Sequence, residues 1–343
     1  MSFIKSGPLI GGYVKAPDTM FSFKKWFDGR YQKIKTDFCN DNTGFRPDLV
    51  RLNNQIDYSL FDKCHAGWTL KGQDQFLFQS PYINSYFGKD YFGYQSALER
   101  LIKLKGIQDT LSRLGKSLIL VYAANKATYY PEYFPNNRVH EKKGPTNFET
   151  YRHIADSLGI NQIDMDTWFV SMKNKSKEIL FSKQGIHWTA YGAILAGDSL
   201  IRYIERLRNV HLPHPEWSQF EHTTKARSGD DDVSSELNLI FPIAQETFAY
   251  PVTEDVPYSE GQKLKAVYIG DSYGLKLVNA GGVFPRISSQ IEYYYYFEGF
   301  GKDWKVSVNN TDCVILVYTS FNLWNLGNGF IEQAYDHYYP LKK

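Results

Sequence analysis

Cysteine is scarce in this chain. Cys39, Cys64 and Cys313 are the only three in 343 residues, and no Cys-x-x-Cys pair or Cys/His cluster has zinc spacing. No metal site is expected, and no cofactor. Cys313 lies in an apolar strand pattern and reads as a buried thiol; Cys39 and Cys64 are able to pair only in an oxidising compartment. Charge of one sign is also missing. Lys and Arg number 39 against 37 Asp and Glu, with no long basic run, which argues against nucleic acid as a partner. There is no run of eighteen apolar residues to span a membrane, and Met1–Asp18 lacks the apolar core of a signal peptide. The chain is therefore cytoplasmic, or its signal or anchor lies outside this sequence. Internal repeats and low-complexity segments are absent. His211 and His214, in His-Leu-Pro-His-Pro, read as surface residues rather than ligands.

What is present is material for a large core. Hydrophobic residues make up 43% and aromatics 16% of the chain, enough for one large α/β domain or two modest ones. After an aperiodic arm, Phe23, Trp26, Phe27, Tyr31 and Ile34 predict a helix over 22–38, and 48–61 is a second helical candidate. Alternation around Gly72 predicts a hairpin over 68–78. The spacing of Leu98, Leu101, Leu104, Ile107 and Leu111 predicts a helix over 92–114, stopped by Gly115 and followed by the buried strand 117–124. Helix, glycine and buried strand in succession are the pattern of a parallel α/β sheet. Thr146-Asn147-Phe148-Glu149 is a capping box that opens a further helix, 161–165 is a short strand and 189–207 a long helix. The stretch 209–262 reads as irregular. Strands are predicted at 266–269, 291–297 and 312–318.

Three stretches carry the chemistry. In the first, Ala266-Val267-Tyr268-Ile269 ends at Gly270-Asp271-Ser272, and a helix starts at once. A serine delivered by a buried strand to a helix N-terminus sits beside unpaired backbone N–H groups and is well placed as a nucleophile; its ordinary alternative is a helix cap. Gly197-Asp198-Ser199 repeats the letters but falls inside a helical pattern, so that copy is structural. In the second, His187 precedes the 189–207 helix, where a general base belongs, although a histidine packed by Trp188 is the commoner meaning of such a position. In the third, the 312–318 strand runs into Tyr318-Thr319 and Asn322, a source of donors for an oxyanion, or a simple strand cap.

Together the three resemble the SGNH hydrolase superfamily, with the histidine block ahead of the serine block, a circularly permuted order. That order is similar to the polysaccharide O-acetyltransferases typified by the alginate acetylation proteins of the AlgJ and AlgX type. The likeness covers most of the chain. It includes Trp26-Phe27-Asp28-Gly29-Arg30, Gly44-Phe45-Arg46, Asn53-Asn54-Gln55-Ile56, Lys126 with Tyr130-Pro131-Glu132, His187-Trp188-Thr189 with Tyr191-Gly192-Ala193, Tyr268–Tyr273, and Tyr318-Thr319. Two departures stand out. Gly185 occupies the position where many members carry the aspartate that orients the histidine, and Asn322 stands where some carry arginine.

The resemblance implies a three-layer α/β/α, flavodoxin-like SGNH domain with a mostly parallel sheet. Residues 1–20 would be an arm and 21–343 a single domain with an insertion at about 209–262. It implies acetyl transfer to an exported polysaccharide through an acyl-enzyme on Ser272, with His187 as base. Asp230, Asp231 and Asp232 are the candidates for the missing acid, and Asp231 stands for them in the working site. Tyr273, Tyr318, Thr319, Asn322 and Lys126 are expected around the oxyanion and ligand. It further implies a membrane-bound O-acyltransferase partner and a periplasmic, anchored protein. A carbohydrate acetylesterase uses the same residues, and Gly185 raises an inactive polysaccharide-binding protein as a third possibility.

Overall fold

The computed structural model describes residues 7–11, 15–215, 217, 219–227, 229–244, 246–252, 259–279, 283–296 and 304–340. The chain begins with α1 (Phe23–Phe27), α2 (Arg30–Asn42) and α3 (Arg46–Phe61), then the antiparallel hairpin β1 (Thr69–Lys71) and β2 (Leu77–Gln79). Next come α4 (Ser80–Tyr86), α5 (Tyr94–Arg113), β3 (Ser117–Ala123), α6 (Lys126–Tyr129), α7 (Asn147–Ser157), β4 (Gln162–Asp164), α8 (Met165–Ser171) and α9 (Ala190–Arg208). The last third holds β5 (Phe220–Thr223), α10 (Asp232–Glu236), β6 (Phe248–Pro251), β7 (Leu264–Gly270), α11 (Ser272–Asn279), α12 (Val283–Ile287), β8 (Ser288–Tyr295), α13 (Trp304–Asn309), β9 (Cys313–Thr319) and α14 (Phe330–Tyr338).

The central sheet has five strands in the order β4-β3-β9-β7-β8, and every pairing in it is parallel. Parallel strands buried on both faces need continuous apolar runs. β3 (SLILVYA) and β9 (CVILVYT) supply them, with all seven residues of β9 buried. Alternate side chains feed two cores. Tyr268, Ile315 and Val317 share a core with α9, α11 and Leu77 and Phe78 of β2. Val267, Leu316 and Tyr318 pack with α5, α7 and α14. This is the three-layer α/β/α architecture.

The course of the chain explains where a cleft forms. β3 leads outward to β4 on one side, β7 leads outward to β8 on the other, and β9 fills the centre. Such a reversal of strand order opens a crevice beyond the carboxyl ends of the strands. Those ends carry Asn125 and Lys126 after β3, Asp271 and Ser272 after β7, and Thr319 at the end of β9.

The sequence-based elements differ from the structure in two places. The helix over 22–38 is broken by Gly29, which adopts φ +78 and separates α1 from α2. The stretch 209–262 contains the β5–β6 hairpin and α10. Cys39 and Cys64 are both free thiols, Cys39 exposed and Cys64 partly buried. Phe297, the end of the strand predicted over 291–297, lies outside the described residues, as do Met1–Ser6 of the arm.

Candidate active site

Ser272 is the first residue of α11 and follows β7 with only Asp271 between. Gly270 makes the turn possible through close packing: a Cβ there would lie 2.1 Å from the Val317 carbonyl oxygen of the neighbouring strand. Asp271 takes the capping role. Its carboxylate accepts the Tyr273 N–H at 3.1 Å, the Thr319 N–H and hydroxyl at 2.9 Å each and the Asn322 amide at 3.0 Å. Its carbonyl accepts the N–H groups of Gly274 and Leu275 and the Tyr293 hydroxyl. The Ser272 side chain is thereby left free of capping, and the Ser272 N–H has no acceptor among the described residues.

His187 reaches Ser272 from the other side. The Phe181–Trp188 bridge and the Thr189 cap of α9 fix the loop that carries it. The Tyr273 hydroxyl donates to the Ile186 carbonyl at 2.5 Å, and the Tyr273 ring packs 4.7 Å from the imidazole. His187 Nε2 lies 2.7 Å from Ser272 Oγ, and Nδ1 lies 2.5 Å from an oxygen of Asp232. The second Asp232 oxygen accepts the Ile186 N–H at 2.9 Å. A carboxylate only accepts, so Nδ1 carries the proton and Nε2 is left to accept from the serine. Burial works against the charged form of Asp232, yet the His187 and Ile186 hydrogen bonds outweigh it and hold its pKa below the usual carboxylate range.

The structure thus brings Ser272 and His187 together and sorts the three aspartates. Asp232, not Asp231, faces the imidazole. Asp231 precedes α10 and lines a separate groove. Asp230 is fully buried and paired with Lys276 at 2.5 Å. Sequence alone had no means of ranking three adjacent acids; the start of a short helix turns consecutive residues in different directions. Gly185 fits this arrangement. A Cβ there would lie 2.5 Å from the Asp230 carbonyl oxygen and 2.9 Å from Ser182 Oγ, so the glycine lets the aspartate-bearing segment pack against the histidine loop.

The residues expected around the oxyanion and ligand stand behind the cleft rather than in it. Thr319 and Asn322 hold Asp271, and Tyr273 braces the histidine loop. Tyr318 is fully buried in the core on the opposite face of the sheet. Lys126 is fully buried and donates to the carbonyls of Leu77 and Lys183 at 2.6 Å and of Gly185 at 2.9 Å. Burial pushes its pKa down to about 7. The cleft itself, about 230 Å³, is lined by Gln79, Tyr82, Ile186, Val233 and Glu236 with the Ser272–His187–Asp232 chain. Gln79, Tyr82 and Glu236 carried no sequence signal: the first two fall between the predicted hairpin and the predicted 92–114 helix, and Glu236 falls in the stretch read as irregular. Among the described residues no group of His, Cys, Asp and Glu is arranged to hold a metal; His214 sits between Asp198 and Glu205.

With this geometry in hand, comparison with known proteins is specific. The sequence model of the SGNH hydrolase-like domain of acetyltransferase AlgX matches residues 69–274, more than half of the chain and inclusive of His187, Asp232 and Ser272. The chain belongs to this family. It is 27% identical over 152 residues to the "Probable alginate O-acetylase AlgJ" of Pseudomonas putida, covering 44% of this chain and 37% of that protein. To the protein of the same name from Pseudomonas syringae pv. tomato it is 26% identical over 173 residues, covering 50% and 42%. The chain therefore spans about two-fifths of the length of these relatives. Among solved structures, the O-acetyltransferase domain of Pseudomonas putida AlgJ matches with a TM-score of 0.52 at 18% identity, over 78% of this chain and 99% of that one. Bacillus cereus PatB1 matches with a TM-score of 0.51 at 11% identity, over 76% and 98%. These last likenesses concern the fold.

Proposed function

We propose that this family member is a polysaccharide O-acetyltransferase working through an acyl-enzyme on Ser272. The observation that carries the reading is the unbroken hydrogen-bonded chain from Ser272 through His187 to Asp232, opening on a cleft. Ser272 Oγ attacks the carbonyl carbon of an acetyl donor as its proton passes to His187 Nε2. The imidazolium returns that proton to the leaving group as the donor bond breaks. A sugar hydroxyl then enters, gives its proton to Nε2 and attacks the acetyl carbon, and Ser272 Oγ leaves and is reprotonated. Asp232 keeps Nδ1 protonated and stabilises the imidazolium between the two transfers. The Ser272 N–H is the donor best placed for the developing oxyanion.

The relatives named as alginate O-acetylases support a polysaccharide as the acceptor class; we infer further that this polysaccharide is exported, that the protein works outside the cytoplasm, and that a membrane-bound O-acyltransferase is its acetyl source. None of the described helices is long and apolar enough to cross a membrane. The test uses p-nitrophenyl acetate with and without an oligosaccharide, comparing wild type with Ser272→Ala. The expected result is faster p-nitrophenolate release by the wild type, with acetyl found on the sugar. Equal background rates for both proteins exclude any enzyme acting through Ser272. Release with no acetylated sugar makes the protein an acetylesterase.

A further inference from the structure

One wall of the cleft is α10, and its chemistry differs from what a polyuronate acceptor needs. Asp232 stands at the start of that helix and Glu236 at its end, and both line the cleft. Glu236 is exposed and forms no ion pair among the described residues. The lining residues outside the Ser272–His187–Asp232 chain and Glu236 are neutral: Gln79, Tyr82, Ile186 and Val233. No lysine or arginine lines the cleft among the described residues. Two ammonium groups whose charge is felt at Asp232 are committed elsewhere: Lys276 to the buried Asp230, and Lys126 to three backbone carbonyls behind the histidine loop.

We propose, on the reading of the protein as an acetyltransferase, that Glu236 determines acceptor specificity and that the sugar residue being acetylated carries no carboxylate. A sugar hydroxyl donates well to a carboxylate and to an amide oxygen, so Glu236 and Gln79 suit an uncharged, hydroxyl-rich chain. A uronate in the same place sets its carboxylate against Glu236 and Asp232. Each like charge about 8 Å away in a water-like medium costs a factor of about two in affinity, and the two together roughly fivefold, and nothing cationic on the described walls offsets it. This separates the chain from relatives named for alginate, which is a polyuronate.

The experiment gives the full chain p-nitrophenyl acetate and, in separate reactions, an uncharged cello-oligosaccharide or an oligomannuronate of equal length. Acetylated sugar is counted by mass spectrometry as a share of the p-nitrophenolate released, for wild type, Glu236→Gln and Glu236→Lys. The wild type is expected to favour the uncharged sugar by roughly fivefold or more, with the preference narrowing at about 1 M salt, where charges beyond about 3 Å are screened. Glu236→Gln should lessen the preference and Glu236→Lys reverse it. A wild type that acetylates oligomannuronate equally or better overturns the proposal while leaving the transferase reading intact. So does a preference that neither variant moves. A wild type that releases no more p-nitrophenolate than Ser272→Ala overturns the transferase reading, and this proposal with it.

Discussion

At the scale of single residues, the site turns on which aspartate meets His187. Asp232→Asn leaves the shape intact but no longer fixes the imidazole tautomer, and acetyl release should fall by about 10³–10⁴-fold. Asp231→Asn should stay near wild type, because Asp231 faces another groove. Adding Gly185→Asp to Asp232→Asn should not restore activity, since a side chain at 185 collides with the Asp230 carbonyl. Steady-state rates with p-nitrophenyl acetate check all three. Part of this site was legible in advance, but only in combination: strand, serine and helix left Ser272 open between nucleophile and cap, the loop before α9 left His187 open between base and packed histidine, and the family resemblance joined two residues that the structure sets 2.7 Å apart. The acid was not, because it depends on the folding of an aperiodic segment. Asp166 offers a second residue-scale prediction. It is fully buried at the start of α8, accepts the Asn125 N–H at 3.0 Å, and burial raises its pKa to about 7. A carboxyl group raised in the fold binds a proton the unfolded chain has already lost. Its contribution is complete below about pH 4 and lost as pH rises through 7, with a slope of at most about 1.4 kcal/mol per pH unit. Asp166→Asn should remove this slope. Urea unfolding at pH 5 and pH 8 should show the variant gaining on the wild type by on the order of 2 kcal/mol.

At the scale of elements, the histidine loop is held by a lysine strap. Lys126 Nζ binds the carbonyls of Leu77 in β2 and of Lys183 and Gly185 in the loop, and the Leu77 N–H binds the Lys183 carbonyl. Three ammonium donors meet three acceptors in a fully buried place. Lys126→Met fills much of the volume but leaves three buried carbonyls without that partner. The Lys183 carbonyl keeps the Leu77 N–H, but the lost ammonium bonds to buried carbonyls outweigh the gain from removing a buried charge, so stability should drop by about 2 kcal/mol. Turnover should fall further than stability alone explains, because His187 is two residues from Gly185. Denaturant melts and kcat, measured on the same preparation, separate the two effects. Lys126 was singled out by resemblance as a ligand residue; burial makes it a strap. The elements themselves were read well where a period ran long, as in α5, α9 and β3. They were read poorly where one residue's backbone decided the outcome, as at Gly29, and in 209–262, where short elements carry too few residues to show a period.

At the scale of the whole molecule, the sheet and its two cores stand apart from the first helices. Neither α1 nor α2 has a buried residue, so they add little to the cooperative unit. α3 is different. Tyr58 is buried under the Lys71 ammonium, 4.3 Å from its ring centroid, and buried Asn54 donates to the Leu237 carbonyl at 2.8 Å, immediately after α10. That bond ties the N-terminal region to the helix that presents Asp232 and Glu236. Two truncations should therefore behave unlike one another. Among the described residues, a chain starting at Arg46 gives up exposed hydrogen bonds to the body, those of Ile10 with Asn238 and of Gly7 and Pro8 with Arg51, and its unfolding free energy should stay within about 1 kcal/mol of the full chain. A chain starting at Asp62 also loses the Tyr58 packing and leaves the buried Leu237 carbonyl without Asn54. It should lose on the order of 3 kcal/mol, and its acetyl release should fall as α10 loosens over His187. Equal melts for the two truncations would show that α3 is as dispensable as the helices before it.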